Sequence, residues 1–494
     1  MTLLGALAEG DECEAVRMPD GSLSYRRLRT LAATAAGELR AAERVALWTT
    51  PSLTTVVGLL GGLAAGAPLV PLNPKAGASE LAHHLDDARP TAVIAPAGVP
   101  LPPPLALLRR IDVFADAEDP VEASLPAEPP DDAPALIMYT SGTTGAPKGV
   151  VVTRAALSAN LDALAEAWEW GADDVLVQAL PLFHTHGLLL GVLGPIHLGG
   201  ALRHVGSFDV ARVAASLRDG GTMLFGVPTM FRRLADAAEQ DAEVRAALAG
   251  ARLLVSGSAA LLPSDHDRVG RLTGSRIVER YGMSETLIIT AVRADGERRA
   301  GYVGPPLPGV EVRVVDDEGA EVPPDDATVG SVLVRGPSCF DEYLNLPAET
   351  AESFRDGWFV TGDLATRSPD GYLRLVGRRS TDLINTGGYR VGAGEVEAAL
   401  LTHLGVTEAA VLGLPDPDLG ERIVAWVVAR DGEAPDEREL IDHVVATLTP
   451  HKRPREIRFV AALPRNAMGK VQKPRLLDDA GAPASAAHRG RRST

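Results

Sequence analysis

A chain of 494 residues exceeds what one compact core supports, so two or more domains are expected. Its net charge of -17 excludes partners that need basic patches, namely nucleic acid and anionic membrane. The two cysteines, Cys13 and Cys339, lie far apart and offer neither a disulfide framework nor metal-ligand spacing.

The N-terminus lacks a basic stretch followed by an apolar core, so no secretory signal is read and a cytoplasmic protein is expected. Residues 53–72 carry no charge over a length that could span a bilayer. Gly61, Gly62, Gly66 and Pro68 interrupt that run and the apolar residues 45–48 precede it, which predicts a buried strand, a buried helix and a second strand. Apolar strands at Ala92–Ala95, Val175–Ala179 and Leu253–Ser256 alternate with helical stretches such as Leu157–Trp168 and Val210–Arg218. To about residue 300 that alternation predicts layered α/β units with largely parallel sheets. From Val310 to Arg335 the pattern becomes strand–turn–strand, with a hairpin around Asp317–Gly319, and a further strand pair flanks the turn Ser368–Gly371. A helix Gly394–Leu401, strands Glu408–Gly413 and Ile423–Arg430, a helix Glu437–Thr447 and a strand Glu456–Val460 then predict a small α+β unit. Residues 481–494 are expected to be disordered.

Of 48 Lys+Arg only five are lysines: Lys75, Lys148, Lys452, Lys470 and Lys473. A sequence that writes Arg wherever a generic cation serves keeps Lys where a compact ammonium is needed. Lys148 closes Tyr139–Gly149 (YTSGTTGAPKG), which follows the apolar strand Ala135–Met138. Its hydroxyls and glycines let N–H and O–H groups converge on phosphate oxygens, with Lys148 as a mobile charge. The spacing is not that of a Walker A loop, because Pro147 precedes Lys148 and Gly149 follows it.

This segment resembles the phosphate loop of the acyl-adenylate-forming superfamily, which includes acyl-CoA synthetases, peptide-synthetase adenylation domains and luciferases. Segments similar to further family motifs follow in order to about residue 475: Val255–Ala259, Glu279–Thr286, Gly357–Asp363, Gly371–Asp382 and Pro464–Lys470. The resemblance implies a large N-terminal ATP- and acid-binding domain at 1–379, of layered α/β subdomains plus a β-rich section. It further implies a hinge at 380–382 and a small mobile α+β C-terminal domain at 383–480. ATP, Mg²⁺ and coenzyme A are the implied small molecules, with no obligate protein partner.

By the same resemblance, Thr140, Ser141, Gly142, Thr143, Thr144, Gly145 and Lys148 hold phosphates. Gly257, Ser258 and Ala259 run along the adenine and acyl pockets, and Glu279, Tyr281, Gly282, Met283 and Ser284 form the adenine-side motif, with Tyr281 stacking on the base. The family usually has Thr where Ser284 stands; the hydroxyl is kept. Glu285, with Thr140, would hold Mg²⁺. Asp363 would bridge the ribose hydroxyls, and a ribose arginine follows; counting from Asp363 favours Arg378, counting back from Gly388 favours Arg379, and Arg378 is preferred. Lys470 would reach the active site during adenylation, where an ammonium stabilises charge building on the α-phosphate; Glu285 and His186 complete the implied catalytic set. Gly387, Gly388 and Tyr389 would line the pantetheine tunnel, and Lys452 and Arg453 would meet the phosphates of CoA.

The acyl pocket should be lined by His184, Thr185, His186, Ser258, Met283 and one of Arg232 or Arg233, of which Arg232 is preferred. Family members that take apolar or aryl acids commonly carry a small or aromatic residue where this chain has Arg280. A guanidinium is costly beside hydrocarbon and favourable beside a second carboxylate, so a short diacid is expected. Together, HTHG, ERYGMSET and GVPT resemble the malonyl-CoA synthetase branch, which also accepts methylmalonate. The competing readings are an aryl- or short-chain monocarboxylate–CoA ligase, a stand-alone adenylation domain loading a carrier protein, a luciferase-like oxygenase and an inactive nucleotide-binding regulator.

Overall fold

The computed structural model describes residues 2–10, 12–114, 123–140, 147–379, 382–387, 389–430, 435–465 and 471–478. The chain divides into two compact units. The first comprises Met1–Val312, Leu333–Val360 and Gly371–Leu373, the second Arg313–Val332, Thr361–Asp370 and Arg374–Thr494.

Two sheets lie wholly within the first unit. One has eight strands in the order Leu287–Ala291, Val278–Met283, Leu253–Ser256, Met223–Gly226, Val175–Gln178, Ala201–His204, Glu14–Met18, Gly21–Ser24. Its central strands are parallel, and Leu287–Ala291 returns antiparallel at one side. Parallel strands need crossover connections, and here helices supply them and cover the sheet. The helices Val210–Arg218, Pro228–Gln240, Ala242–Gly250 and Pro263–Thr273 bury Val213, Leu217, Phe231, Leu234, Leu248 and Val269 in one core with Val177, Leu224 and Leu254. The C-terminal ends of parallel strands share an edge, so the segments that follow Gln178, Gly226 and Ser256 gather there, beside the strand Val278–Met283; such an edge is where open α/β sheets bind ligands.

The second sheet has seven strands in the order Glu342–Tyr343, Gly149–Thr153, Pro134–Tyr139, Leu69–Leu72, Val45–Trp48, Ala92–Ile94, Arg109–Ile111. The uncharged run at 53–72 forms the expected helix, Leu53–Ala65, and strand, Leu69–Leu72. Twelve of the helix's thirteen residues are buried, which explains why it is apolar all round. A Cβ at Gly61 would lie 2.6 Å from Cβ of Ala35, so glycine lets this helix approach Tyr25–Leu39 closely. No described helix is long and apolar enough to cross a membrane.

A further five-stranded sheet places Glu311–Val315, Gly330–Arg335, Trp358–Arg367 and Phe354–Arg355 in that order, with Leu373–Arg378 beside Trp358–Arg367. The turn expected around Asp317–Gly319 forms, with Ala320 O accepting from Asp316 N at 2.9 Å, but its return arm pairs only through Val315 and Glu321. Pro323 and Pro324 follow at once, and proline cannot donate to a ladder.

In the second unit, Tyr389–Gly392, Leu383–Thr386, Gly420–Ala429 and Val406–Asp416 form a sheet in that order, and Glu456–Phe459 pairs with Gly420–Ala429. Ala393–Leu401 and Glu437–Thr447 bury Val396, Leu400, Leu440 and Val444 against Val411, Ile423, Ala425 and Val427. This is the α+β unit expected near the C-terminus, with the strand Val406–Asp416 longer than the expected Glu408–Gly413.

Candidate active site

Side chains alternate along Val278–Met283, so Glu279 and Arg280 lie on opposite faces of the strand. Arg280 is 6% exposed. Its Nη2 donates to Ser258 Oγ at a long 3.5 Å, its Nε is buried without a partner, and no described carboxylate pairs with it. Burial pushes its pKa down to about 10, so it remains a cation at neutral pH. Gly257 makes room for it: a Cβ there would lie 2.4 Å from Arg280 Cζ. Ser258 adopts φ +69°, a left-handed conformation costly outside glycine, and is exposed at the open side of this cluster.

His186 reaches the same hydroxyl, with Nδ1 3.3 Å from Ser258 Oγ. It opens a π-helix, His186–Leu193, a widened turn common at functional sites. Two glycines permit it, since a Cβ at Gly187 would strike Pro181 O and one at Gly191 the Gln178 amide, whose Nε2 donates to Gly187 O at 3.1 Å. Burial first, and then the Arg280 charge, hold the His186 pKa well below its ordinary value, so the ring is neutral. His184, against Phe183 at 4.2 Å between rings, is likewise pushed down to about 4 by burial. Thr185 and Met283 are half-buried.

The two arginines of Pro228–Gln240 differ. Arg232 is neutralised by Asp265, which accepts from its Nε at 3.1 Å and Nη2 at 3.0 Å. Arg233 lies over the Phe208 ring at 4.9 Å and forms no ion pair among the described residues. Glu279 faces inward, accepting from Gly301 N at 3.0 Å; burial raises its pKa to about 8. The structure therefore places this carboxyl in a loop-holding role.

The segments that flank residues 141–146 lie in the same unit. Thr140 N donates to Lys148 O at 3.0 Å and His83 Nε2 to Pro147 O at 2.7 Å, fixing both ends of the loop. Lys148 Nζ sits 4.7 Å from the centroid of Tyr343, whose hydroxyl donates to Glu285 Oε1 at 3.0 Å. Tyr281 and Glu285 are buried, Gly282, Ser284 and Thr140 half-buried, and Ala259 exposed. A Cβ at Gly282 would fall 2.0 Å from Leu287 O, so the tight return of the next strand demands glycine there. Ser141, Gly142, Thr143, Thr144, Gly145, Gly388 and Lys470 lie outside the described residues, as do Ser380 and Thr381 of the expected hinge.

In the second unit Arg378 Nε pairs with Asp363 Oδ1 at 2.9 Å, whereas Arg379 reaches Ser331 Oγ at 3.0 Å and Asp317 Oδ1 at 2.5 Å. Arg378 is thus the arginine beside Asp363. Gly387 takes φ +58° and Tyr389, 54% exposed, stacks on His451 at 4.2 Å. Lys452 is paired with Glu395, and Arg453 is half-buried. Lys473 bridges Asp382 Oδ1 at 2.5 Å and Glu397 Oε1 at 2.7 Å; burial lowers its pKa, but the two carboxylates raise it further, for a net rise.

Sequence reasoning missed three contributors: Gly257 as the bed of Arg280, the π-helix that delivers His186, and Tyr343. The first two carried a signal, a glycine between two serines after an apolar strand and glycines inside an apolar run, whereas a tyrosine in a polar stretch carries none.

Residues 7–344 match the family described as AMP-binding enzyme, and residues 395–470 match the AMP-binding enzyme C-terminal domain. The chain is an AMP-binding enzyme. Among its relatives, malonate–CoA ligase of Arabidopsis thaliana is 36% identical over 485 residues, covering 89% of this chain and 78% of that protein. A malonyl-CoA ligase solved as a ternary product complex with methylmalonyl-CoA and AMP is 52% identical with a TM-score of 0.73, covering 94% of this chain and all of the other. ATP-bound MatB from Rhodopseudomonas palustris is 33% identical with a TM-score of 0.88, covering 97% and 98%. The mixed α/β architecture is thus that of AMP-binding enzymes.

Proposed function

We propose that this chain is a malonate–CoA ligase that also takes methylmalonate. It would form malonyl-AMP and pyrophosphate from malonate and ATP, then malonyl-CoA and AMP. The carrying observation is Arg280, a buried guanidinium that pairs with no described carboxylate at the rim of a parallel sheet. Such a group is expensive unless a ligand brings the opposite charge, and a short diacid does so with the carboxylate that does not react. The relatives named malonate–CoA ligase and malonyl-CoA ligase support the same reading.

In the first step one substrate carboxylate oxygen attacks the α-phosphorus and the bond to the β-phosphate breaks, releasing pyrophosphate. Arg280 holds the distal carboxylate and so orients the reacting one. Of the arginines on Pro228–Gln240, Arg233 is the better second cation, because Asp265 already neutralises Arg232. His186 and Ser258 act as neutral hydrogen-bonding groups. Thr185 and Met283 would set the room for a substituent on C2. Lys148 meets the phosphates, and Glu285 would hold Mg²⁺ by the hard oxygen donor that this ion requires; when bound, the ion would screen phosphate charge. Tyr281 would stack on adenine, and Asp363 with Arg378 would meet the ribose. In the second step the CoA sulfur attacks the acyl carbon and AMP leaves. Lys470 would serve the first step as the adenylation lysine, and the second step would use the hinge at 380–382 with Gly387–Tyr389, Lys452 and Arg453 on the CoA path.

The test is pyrophosphate release with malonate, methylmalonate, acetate and benzoate, with and without CoA. Release specific to the two diacids, with CoA consumed to a thioester, is expected. Equal or better turnover of acetate or benzoate would transfer the assignment to a monocarboxylate ligase.

A further inference from the structure

Tyr343 sits in the short strand Glu342–Tyr343, antiparallel to Gly149–Thr153, so the strand that leaves the phosphate loop carries it as its neighbour. The segment that delivers it grips Glu285 twice. Phe340 N donates to Glu285 O at 2.6 Å, and Tyr343 Oη donates to Glu285 Oε1 at 3.0 Å. The ring is 7% exposed, packed on Phe340 at 4.7 Å, and Thr350 Oγ1 accepts from its backbone N at 3.0 Å, so it has little freedom to move. Its face meets Lys148 Nζ at 4.7 Å, within the range of a cation–π contact.

One aromatic ring therefore holds a cation on its face and a carboxylate at its rim. Lys148 and Glu285 have opposite charges and both contact this ring, one at its face and one at its hydroxyl, yet no ion pair joins the two. If they collapsed together, each would neutralise the other and neither would be available to a phosphate or a metal ion. A tyrosine prevents this without competing: its π-face attracts an ammonium more weakly than a phosphate does, and its hydroxyl donates to one carboxylate oxygen without adding charge.

We infer that Tyr343 is a positioning residue for the metal–triphosphate complex, holding Glu285 and Lys148 apart and aimed at their separate ligands. The inference rests on the reading of Glu285 as the Mg²⁺ carboxylate and Lys148 as a phosphate cation. It also divides the side chain's work, with Oη acting on the metal and the ring on the phosphate.

The full-length enzyme is compared with Tyr343→Phe, Tyr343→Leu and Glu285→Gln. Two quantities are read: the Mg²⁺ concentration giving half of the thermal stabilisation by saturating ATP, and the KM values for ATP and malonate in pyrophosphate release. Melting without ligands reports folding. Tyr343→Phe keeps the ring, and losing one hydrogen bond to a charged group should raise the Mg²⁺ midpoint about fivefold with the malonate KM unchanged. Tyr343→Leu should raise it equally and also raise the ATP KM about fivefold, because the cation loses its aromatic surface. A Tyr343→Phe midpoint within twofold of wild type, while Glu285→Gln shifts it strongly, overturns the inference and leaves the metal reading intact. A Glu285→Gln enzyme with an unchanged midpoint overturns both.

Discussion

The two faces of the strand Val278–Met283 carry neighbouring residues of opposite charge, each buried to about the same degree. Glu279 and Arg280 are 5% and 6% exposed, and neither has an ion partner among the described residues. Their outcomes differ because a carboxyl has an escape that a guanidinium lacks. Glu279 takes up a proton, its pKa raised to about 8, and settles as a neutral group on the amide of Gly301. Arg280, pushed down only to about 10, keeps its charge at every physiological pH. The first face has solved its burial within the fold; the second keeps a buried charge that no described carboxylate meets.

Removing the cation should break that contrast most visibly. Arg280→Ala should lower kcat/KM for malonate by about 100-fold or more, since losing one partner of a desolvated pair costs about 2–5 kcal/mol. Turnover of acetate, which has no distal charge, should stay within about threefold of wild type. Malonate kcat/KM retained in this variant, by pyrophosphate release, would remove the arginine from recognition.

The second test asks whether the face is served by a second cation. Arg233→Ala should reduce malonate kcat/KM about fivefold, as expected for an exposed charge, while Arg232→Ala, whose partner is Asp265, should change it less than about twofold. The reverse order would restore the sequence-based preference for Arg232.

The smallest effect concerns the Glu279 face. A folded pKa of about 8 against 4.5 for the free side chain means the folded state binds the extra proton between those values. Stability is therefore full below about 4.5 and is lost as pH rises toward about 8, by about 1.4 kcal/mol per pH unit while the difference persists. Glu279→Gln should flatten the fall in melting temperature between pH 5.5 and 8 and leave malonate turnover nearly unchanged. An unaltered slope would mean that the carboxyl reaches water.

Much of this was legible in the sequence because period and punctuation carry it. Val210–Arg218, Leu253–Ser256 and Glu437–Thr447 form at the expected residues, and the uncharged run at 53–72 resolves into helix and strand at its glycines. Arg280 stood out because family members that take apolar or aryl acids commonly carry a small or aromatic residue there, and the fold does bury it. What the chain order could not reveal were choices between adjacent residues and pairings across long distances. Arg232 and Arg233 look alike until Asp265, on another helix, takes one of them. Arg378 and Arg379 separate only when Asp317 claims the second. Tyr343 lies 58 residues from Glu285, and nothing local to either announces the contact.

The placement of the Arg280 guanidinium is guarded by a residue with no side chain at all. Gly257 faces the guanidinium with nothing but hydrogen, and the smallest added carbon would lie 2.4 Å from Arg280 Cζ and Nε. Selectivity could therefore drift in a lineage that preserves every arginine and histidine of the pocket. A single methyl at Gly257 is enough to force the Arg280 guanidinium from its place.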